Sequence, residues 1–165
     1  MKSSTYVAFC YSKILGDSSL KLLSGSCYLP HPDKEETGGE DAHFICVNEQ
    51  AIGVADGVGG WADIGVNAGL YARELMSNSV SAIQEEPQGS IDPARVLEKA
   101  HSSTKAKGSS TACIIALTDE VCHILAKIFF PSNKNLFTCL FFYVVDVDFV
   151  MLVNRFIFKM SFLIL

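Results

Sequence analysis

Residues 39–61 read GEDAHFICVNEQAIGVADGVGGW. Three carboxylates stand in two clusters, Gly39-Glu40-Asp41-Ala42-His43 and Ala55-Asp56-Gly57-Val58-Gly59-Gly60-Trp61. Between them run Phe44-Ile45-Cys46-Val47, a polar turn at Asn48-Glu49-Gln50, and Ala51-Ile52-Gly53-Val54. Two short apolar runs separated by a turn predict a β-hairpin. Folding that hairpin about its turn brings Glu40, Asp41 and His43 beside Asp56. Like charges facing each other across a strand pair repel. A cation between them would relieve the repulsion, and magnesium or manganese takes oxygen ligands of this kind. An acidic loop that merely flanks a hairpin is the alternative, and spacing alone leaves both open.

The chain has 165 residues, the size of one ordinary domain, and a net charge of −5. No basic footprint argues for nucleic acid. A mild acidic excess suits a soluble protein and also a divalent-cation site. Six cysteines (Cys10, Cys27, Cys46, Cys113, Cys122, Cys139) form no Cys-x-x-Cys pair. Cys46 and Cys113 sit within apolar runs, so buried free thiols in a reducing compartment are expected. The composition is split along the chain. All twelve glycines fall at or before Gly108, and nine of the eleven phenylalanines at or after Phe129. One domain of uniform character does not give up glycine halfway.

Outward from the hairpin, residues 1–20 lack the long apolar core of a secretory signal and read as a disordered terminus, or as the tail end of a transit peptide. Residues 21–29 read as a strand, stopped by Pro30-His31-Pro32-Asp33, because proline holds the residue before it extended. Lys34 to Gly39 reads as a polar loop. Gly57, Gly59 and Gly60 are expected to turn the chain sharply, allowing positive φ and close approach of backbone to a ligand. They do not complete a dinucleotide fingerprint, since Ala62 stands where the third glycine belongs. Ala68, Tyr71, Ala72, Leu75, Met76, Ser79, Val80 and Ile83 lie on one face of a helix predicted over 64–84. Asp92 as cap and Pro93 at the first position open a second helix. Its core face is Val96, Leu97 and Ala100, and Gly108 is its expected stop. Ala112-Cys113-Ile114-Ile115-Ala116-Leu117 then reads as a buried strand. Strand, hairpin, two helices and strand make a mixed α/β arrangement with helices layered on a sheet.

Gly39-Glu40-Asp41-Ala42-His43, Val54-Ala55-Asp56-Gly57 and Gly108-Ser109-Ser110-Thr111-Ala112, with two helices between the last two, resemble the N-terminal part of a protein phosphatase 2C, a metal-dependent serine/threonine phosphatase. Ser24-Gly25-Ser26-Cys27-Tyr28-Leu29-Pro30-His31-Pro32-Asp33-Lys34 and Ala55 to Trp61 are similar to the plant branch that is itself similar to the yeast mitochondrial member. The resemblance covers about residues 21–120. It implies an α/β fold (α+β), here a partial β-sandwich flanked by helices. It also implies two magnesium or manganese ions about 4 Å apart, activating a water that hydrolyses phosphoserine or phosphothreonine. Asp56 matches the carboxylate that bridges the ions, Gly57 the residue whose backbone carbonyl is a ligand, and Glu40 the carboxylate that holds one ion. Asp41 matches the neighbouring acid that holds metal-bound water. Two positions depart. Glu36 stands where many members place an arginine for the phosphate; Lys34 is the nearest cation and makes a point contact rather than a fork. Val58 replaces a histidine that follows Asp-Gly in many members. His43 is a candidate for general-acid help or, more simply, a structural hydrogen bond.

Residues 121–165 do not continue the family's pattern. Their two acids, Asp146 and Asp148, lack the context of the aspartates that complete the metal site. This segment is read as a divergent hydrophobic tail, a translated intron or alternative end. A membrane span over 136–153 would put both acids in the bilayer at about 2.5–3.5 kcal/mol each, so no membrane partner is expected. Strands at 141–145 and 149–153, extending the sheet, are the third reading. The expected function is therefore a metal-dependent phosphatase acting on phosphorylated protein, with this chain truncated and weakly active or inactive. The alternative is a non-catalytic fragment that binds phosphoprotein or a partner in competition with the intact enzyme. An intracellular site is expected, chloroplast or mitochondrion by the resemblance.

Overall fold

In a computed structural model of the chain, residues 21–118, 122–129, 136–138, 148–153 and 156–163 are described. The hairpin forms as β2 (Asp41–Cys46) and β3 (Ala51–Gly57), preceded by β1 (Lys21–Tyr28). Helices α1 (Ala68–Gln84) and α2 (Pro93–Ser103) follow, then β4 (Ser110–Leu117) and β5 (Cys122–Phe129). Three further strands are β6 (Leu136–Thr138), β7 (Asp148–Val153) and β8 (Phe156–Leu163). They make two antiparallel sheets, one of five strands in the order β2-β3-β4-β5-β6 and one of three in the order β1-β8-β7.

Alternation along β2, β3 and β4 sorts the five-stranded sheet into two faces. Ala42, Phe44, Ala51, Ala55, Ala112, Ile114 and Ala116 share one core with Tyr71, Leu75 and Met76 of α1 and Val96, Leu97 and Ala100 of α2. Alanine dominates the sheet side of this core, so the helices seat closely. The Phe44 ring fills the space over Gly53, where a Cβ would lie 2.2 Å from Phe44 Cε1. On the opposite face Ile52, Val54, Ile115 and Leu117 are buried as well. A sheet buried on both faces is the middle of a layered structure. The three-stranded sheet is tied to the β2–β3 turn where the Leu22 N–H donates to Gln50 Oε1 at 2.6 Å.

Four local expectations are corrected. The polar segment from Lys34 is a 3₁₀ helix, Pro32–Thr37, because the His31 ring accepts from the Asp33 N–H and Gly38 closes it at φ 77°. The first helix starts at Ala68 rather than at 64. Asn67 Oδ1 caps it by accepting from the N–H groups of Gly69 and Leu70, and residues Gly59–Ile64 form a separate 3₁₀ turn. The second helix opens on Asp92 as expected, but stops at Ser103 instead of running to Gly108. The Glu74 carboxylate accepts from the N–H groups of Lys105 and Ala106 at 3.0 and 2.8 Å, drawing the chain off the helix axis. Finally, Gly57, Gly59 and Gly60 do not adopt positive φ; Gly38, Gly39, Gly65, Gly89 and Gly108 do.

Beyond Leu117, β5 pairs with β4 from Leu117↔Cys122 to Ser110↔Phe129, and β8 pairs with β1 along all of β1's length. The run at 149–153 lies within β7, whereas that at 141–145 lies outside the described residues. Among the described residues no helix is long and apolar enough to cross a membrane; residues 139–147 of the 136–153 run lie outside them.

Candidate metal centre and the family of the chain

The β2–β3 register pairs Asp41 directly with Asp56. Directly opposed residues of an antiparallel pair project from the same face, here the face away from the helices. Asp41 is 7% exposed and Asp56 half-buried. The register follows from the turn: Asp41 and Asp56 are equidistant from the Asn48–Glu49 bond. Gln50 takes φ 53° and donates through Nε2 to the Val47 carbonyl, closing the turn on itself.

Glu40 stands one residue before β2, beside Gly57. The Gly57 N–H donates to the Glu40 carbonyl at 3.1 Å, and the Ser110 hydroxyl donates to the Asp56 carbonyl at 3.0 Å. Gly57 is bare for a steric reason. A Cβ there would lie 2.5 Å from the Glu40 carbonyl oxygen and 2.8 Å from that of Ala68. At Gly59 it would lie 3.0 Å from Glu40 Oε2, so the Glu40 carboxylate rests over that glycine. Gly57 and Gly59 thus pack closely against Glu40 and Ala68, without the positive φ.

Lys34 reaches this group. Its Nζ donates to Glu40 Oε2, with the Lys34 side chain 39% and the Glu40 side chain 21% exposed. His43 lies on the Asp41 face of β2. Desolvation lowers its pKa although much of the residue is exposed, so the ring is neutral near pH 7. Glu36 is exposed on the 3₁₀ helix, and Val58 is exposed after β3. Among the described residues, no three His, Cys, Asp or Glu side chains converge in one metal-binding group. The register sets Asp41 opposite Asp56, and Glu40, next to Asp41 in the chain, holds the Lys34 ammonium.

The acids and glycines were readable in the sequence; the residues that seat them were not. Gly38 and Gly39 both take φ 77°. The Tyr28 hydroxyl donates to the Gly38 carbonyl and Arg73 Nη1 to the Gly39 carbonyl, each at 3.2 Å. Gly69 lets α1 approach, since a Cβ there would come within 2.4 Å of the Gly39 oxygen. Trp61 Nε1 donates to Ser109 Oγ at 2.7 Å, fastening the loop after Gly57 to the start of β4. No local pattern marks Arg73 or Trp61, because their partners lie 34 and 48 residues away. Cys113 is a buried free thiol and Cys46 a half-buried one; burial pushes both up to about 11, which makes them unreactive.

No family model matches the chain. Relatives do. A probable protein phosphatase 2C 55 of Arabidopsis thaliana is 77% identical over 106 residues, 64% of this chain and 23% of the relative. A probable protein phosphatase 2C 80 of the same plant is 77% identical over 108 residues, 65% of this chain and 26% of the relative. The matched stretch belongs to the protein phosphatase 2C family. The X-ray structure of the photosystem II phosphatase PBCP is similar too, with 40% identity and a TM-score of 0.59 over 64% of this chain and 42% of that one. The protein phosphatase 2C stretch thus has the α/β architecture expected from the resemblance. The chain spans about a quarter of the length of these two curated relatives.

Proposed function

We propose that this chain carries part of the two-metal centre of a protein serine/threonine phosphatase, for magnesium or manganese. The supporting observation is the Asp41↔Asp56 pairing beside a Gly57 that cannot carry a side chain, in a stretch 77% identical to named protein phosphatases 2C. The residues fit such ions. Glu40, Asp56 and the Gly57 carbonyl offer only oxygen, the donor that hard divalent cations take. An ammonium already sits on Glu40, so the position accepts positive charge. Two divalent ions, when bound, lower the pKa of water and clamp the attacking and leaving oxygens of a phosphoryl displacement. Asp56, Glu40 and the Gly57 carbonyl would hold the ions, and Asp41 would orient water. Lys34, taken as the phosphate contact, would have to leave Glu40 to serve. A phosphorylated protein is the substrate class, and the likeness to a photosystem II phosphatase favours the chloroplast over the mitochondrion.

Asp146 and Asp148 do not match the acids that complete the centre, so this 165-residue chain alone should bind metal weakly and turn over little. The rival reading is a fragment that binds phosphoprotein without hydrolysis. It is favoured by the lack of a third converging metal-binding side chain among the described residues. The test is manganese-dependent hydrolysis of a phosphothreonine peptide, with manganese binding measured by calorimetry on the chain and on Asp56→Asn. Binding that Asp56→Asn abolishes supports the metal centre. Binding indifferent to Asp56 would sink it, and turnover matching a full-length relative would sink the weak-activity reading. Peptide retained without hydrolysis selects the rival.

A further inference from the structure

We propose that Lys34 is the resident counter-ion of Glu40, seated on its carboxylate when no divalent ion is bound and displaced when one arrives, so that Lys34 sets the metal affinity of this site. The inference rests on the metal-centre reading above and concerns a residue to which that reading gives no part in holding the ion. Lys34 is built into place. Its N–H donates to the His31 carbonyl at 2.8 Å, and its own carbonyl accepts from the Gly39 N–H and the Thr37 hydroxyl, each at 3.0 Å. The 3₁₀ helix thereby closes on the turn that delivers Glu40.

The choice of partner is informative. Asp33, Glu35 and Glu36 are all exposed neighbours of Lys34, yet its ammonium goes to Glu40, whose side chain is only 21% exposed. A carboxylate partly withdrawn from water needs a counter-charge more than an exposed one does. The Glu40 carboxylate lies over Gly59, where the absent side chain leaves it space beside Lys34. A lysine suits a reversible counter-ion. It makes a single point contact on a flexible stem, where an arginine would hold both oxygens in a rigid fork. The Lys34 side chain is 39% exposed, so water is open to the released ammonium. Two cations sharing one carboxylate repel at this range, which couples arrival of the ion to departure of the lysine.

The experiment is calorimetric titration of manganese into the full chain and into Lys34→Gln, Lys34→Arg, Glu40→Gln and Lys34→Gln/Glu40→Gln, at low ionic strength. An ion pair of this exposure predicts that Lys34→Gln tightens manganese binding about two- to fivefold. Lys34→Arg should bind no tighter than the parent, and Lys34→Gln should have no effect once Glu40 is glutamine. In thermal melts, Lys34→Gln should lower the midpoint of the metal-free chain, and saturating manganese should close the gap. Unchanged or weaker manganese binding in Lys34→Gln overturns the proposal. So does tightening that persists undiminished beside Glu40→Gln, which would be a diffuse field effect. Binding lost in Glu40→Gln but indifferent to Lys34 overturns this proposal alone; binding indifferent to both Glu40 and Asp56 overturns the metal centre with it.

Discussion

Gly57→Ala is the sharpest probe of the packing that seats the acids. The added Cβ would meet the Glu40 oxygen at 2.5 Å, the Ala68 oxygen at 2.8 Å and the Ala68 carbonyl carbon at 3.0 Å. All three are backbone atoms, so no side chain can rotate away. To restore ordinary contact the added Cβ and the Glu40 oxygen must separate by about 0.9 Å, and the Cβ and the Ala68 oxygen by about 0.6 Å. Overpacking of this kind costs about 1–3 kcal/mol, and the upper end applies where the neighbours are fixed. Moving Glu40 also breaks the bond from the Gly57 N–H to its carbonyl, worth about 1 kcal/mol more. A loss of roughly 3–4 kcal/mol is a large share of a total near 5–15 kcal/mol. Gly60→Ala, three residues on, is the control, because nothing lies within 4 Å of its Cβ and its φ is not positive. It should stay within about 0.5 kcal/mol of the parent. Urea melts followed through the single tryptophan, Trp61, would compare the two. If Gly57→Ala and Gly60→Ala melt together, Gly57 is not bare for the reason argued.

Three further outcomes follow from the same contacts. Asp92→Ala removes the oxygen that accepts from the Ala94 N–H at 2.9 Å and should cost about 1 kcal/mol in a urea melt, with Asp92→Asn recovering most of it. Leu75→Ala, at a side chain fully buried between α1 and the sheet, should cost about 2–5 kcal/mol by the same measurement. The hydrogen bond from Arg95 holds the Glu86 carboxyl below its ordinary range. Because the folded pKa lies below the unfolded one, the stabilisation is present above the unfolded value of about 4.3 and lost as pH falls through the folded value. Glu86→Gln should therefore lower the melting temperature near neutrality and flatten the acid side of a stability–pH curve; an unaltered acid side would show that the pair is idle.

The hairpin was legible, and its register can be rationalised, because two signals coincide. Ala42 and Phe44 alternate with Asp41 and His43, and the turn at Asn48-Glu49 fixes which residues can face each other. A shift by one residue would bury the acids among the helices and expose Phe44, an outcome the apolar pattern forbids. The helices were legible through the stripe from Ala68 to Ile83, while their ends were not. Asn67 sets the start of α1 and Glu74 the departure from α2, and both act through hydrogen bonds that leave no periodicity. The 3₁₀ helix at Pro32–Thr37 is silent in the sequence for a related reason. It has no buried residue, so no apolar period could announce it, and its order comes from its cap and from Gly39.

The same distinction separates the acids from their placement. Glu40, Asp41 and Asp56 are visible as residue types, but a two-stranded hairpin alone is marginal in water. What holds Glu40 is a turn at Gly38–Gly39 whose left-handed geometry suits glycine, pinned by Tyr28 from β1 and by Arg73 from α1. Gly69 then brings the first turn of α1 against that same turn. Ala68, which blocks a side chain at Gly57, belongs to the helix turn that Gly69 lets approach Gly39. Two glycines on one helix approach and one hairpin end thus serve a single purpose, to set the Glu40 main chain between Gly57 and α1. The position of Glu40 is accordingly a property of the packed α1–hairpin unit and not of the acidic cluster itself.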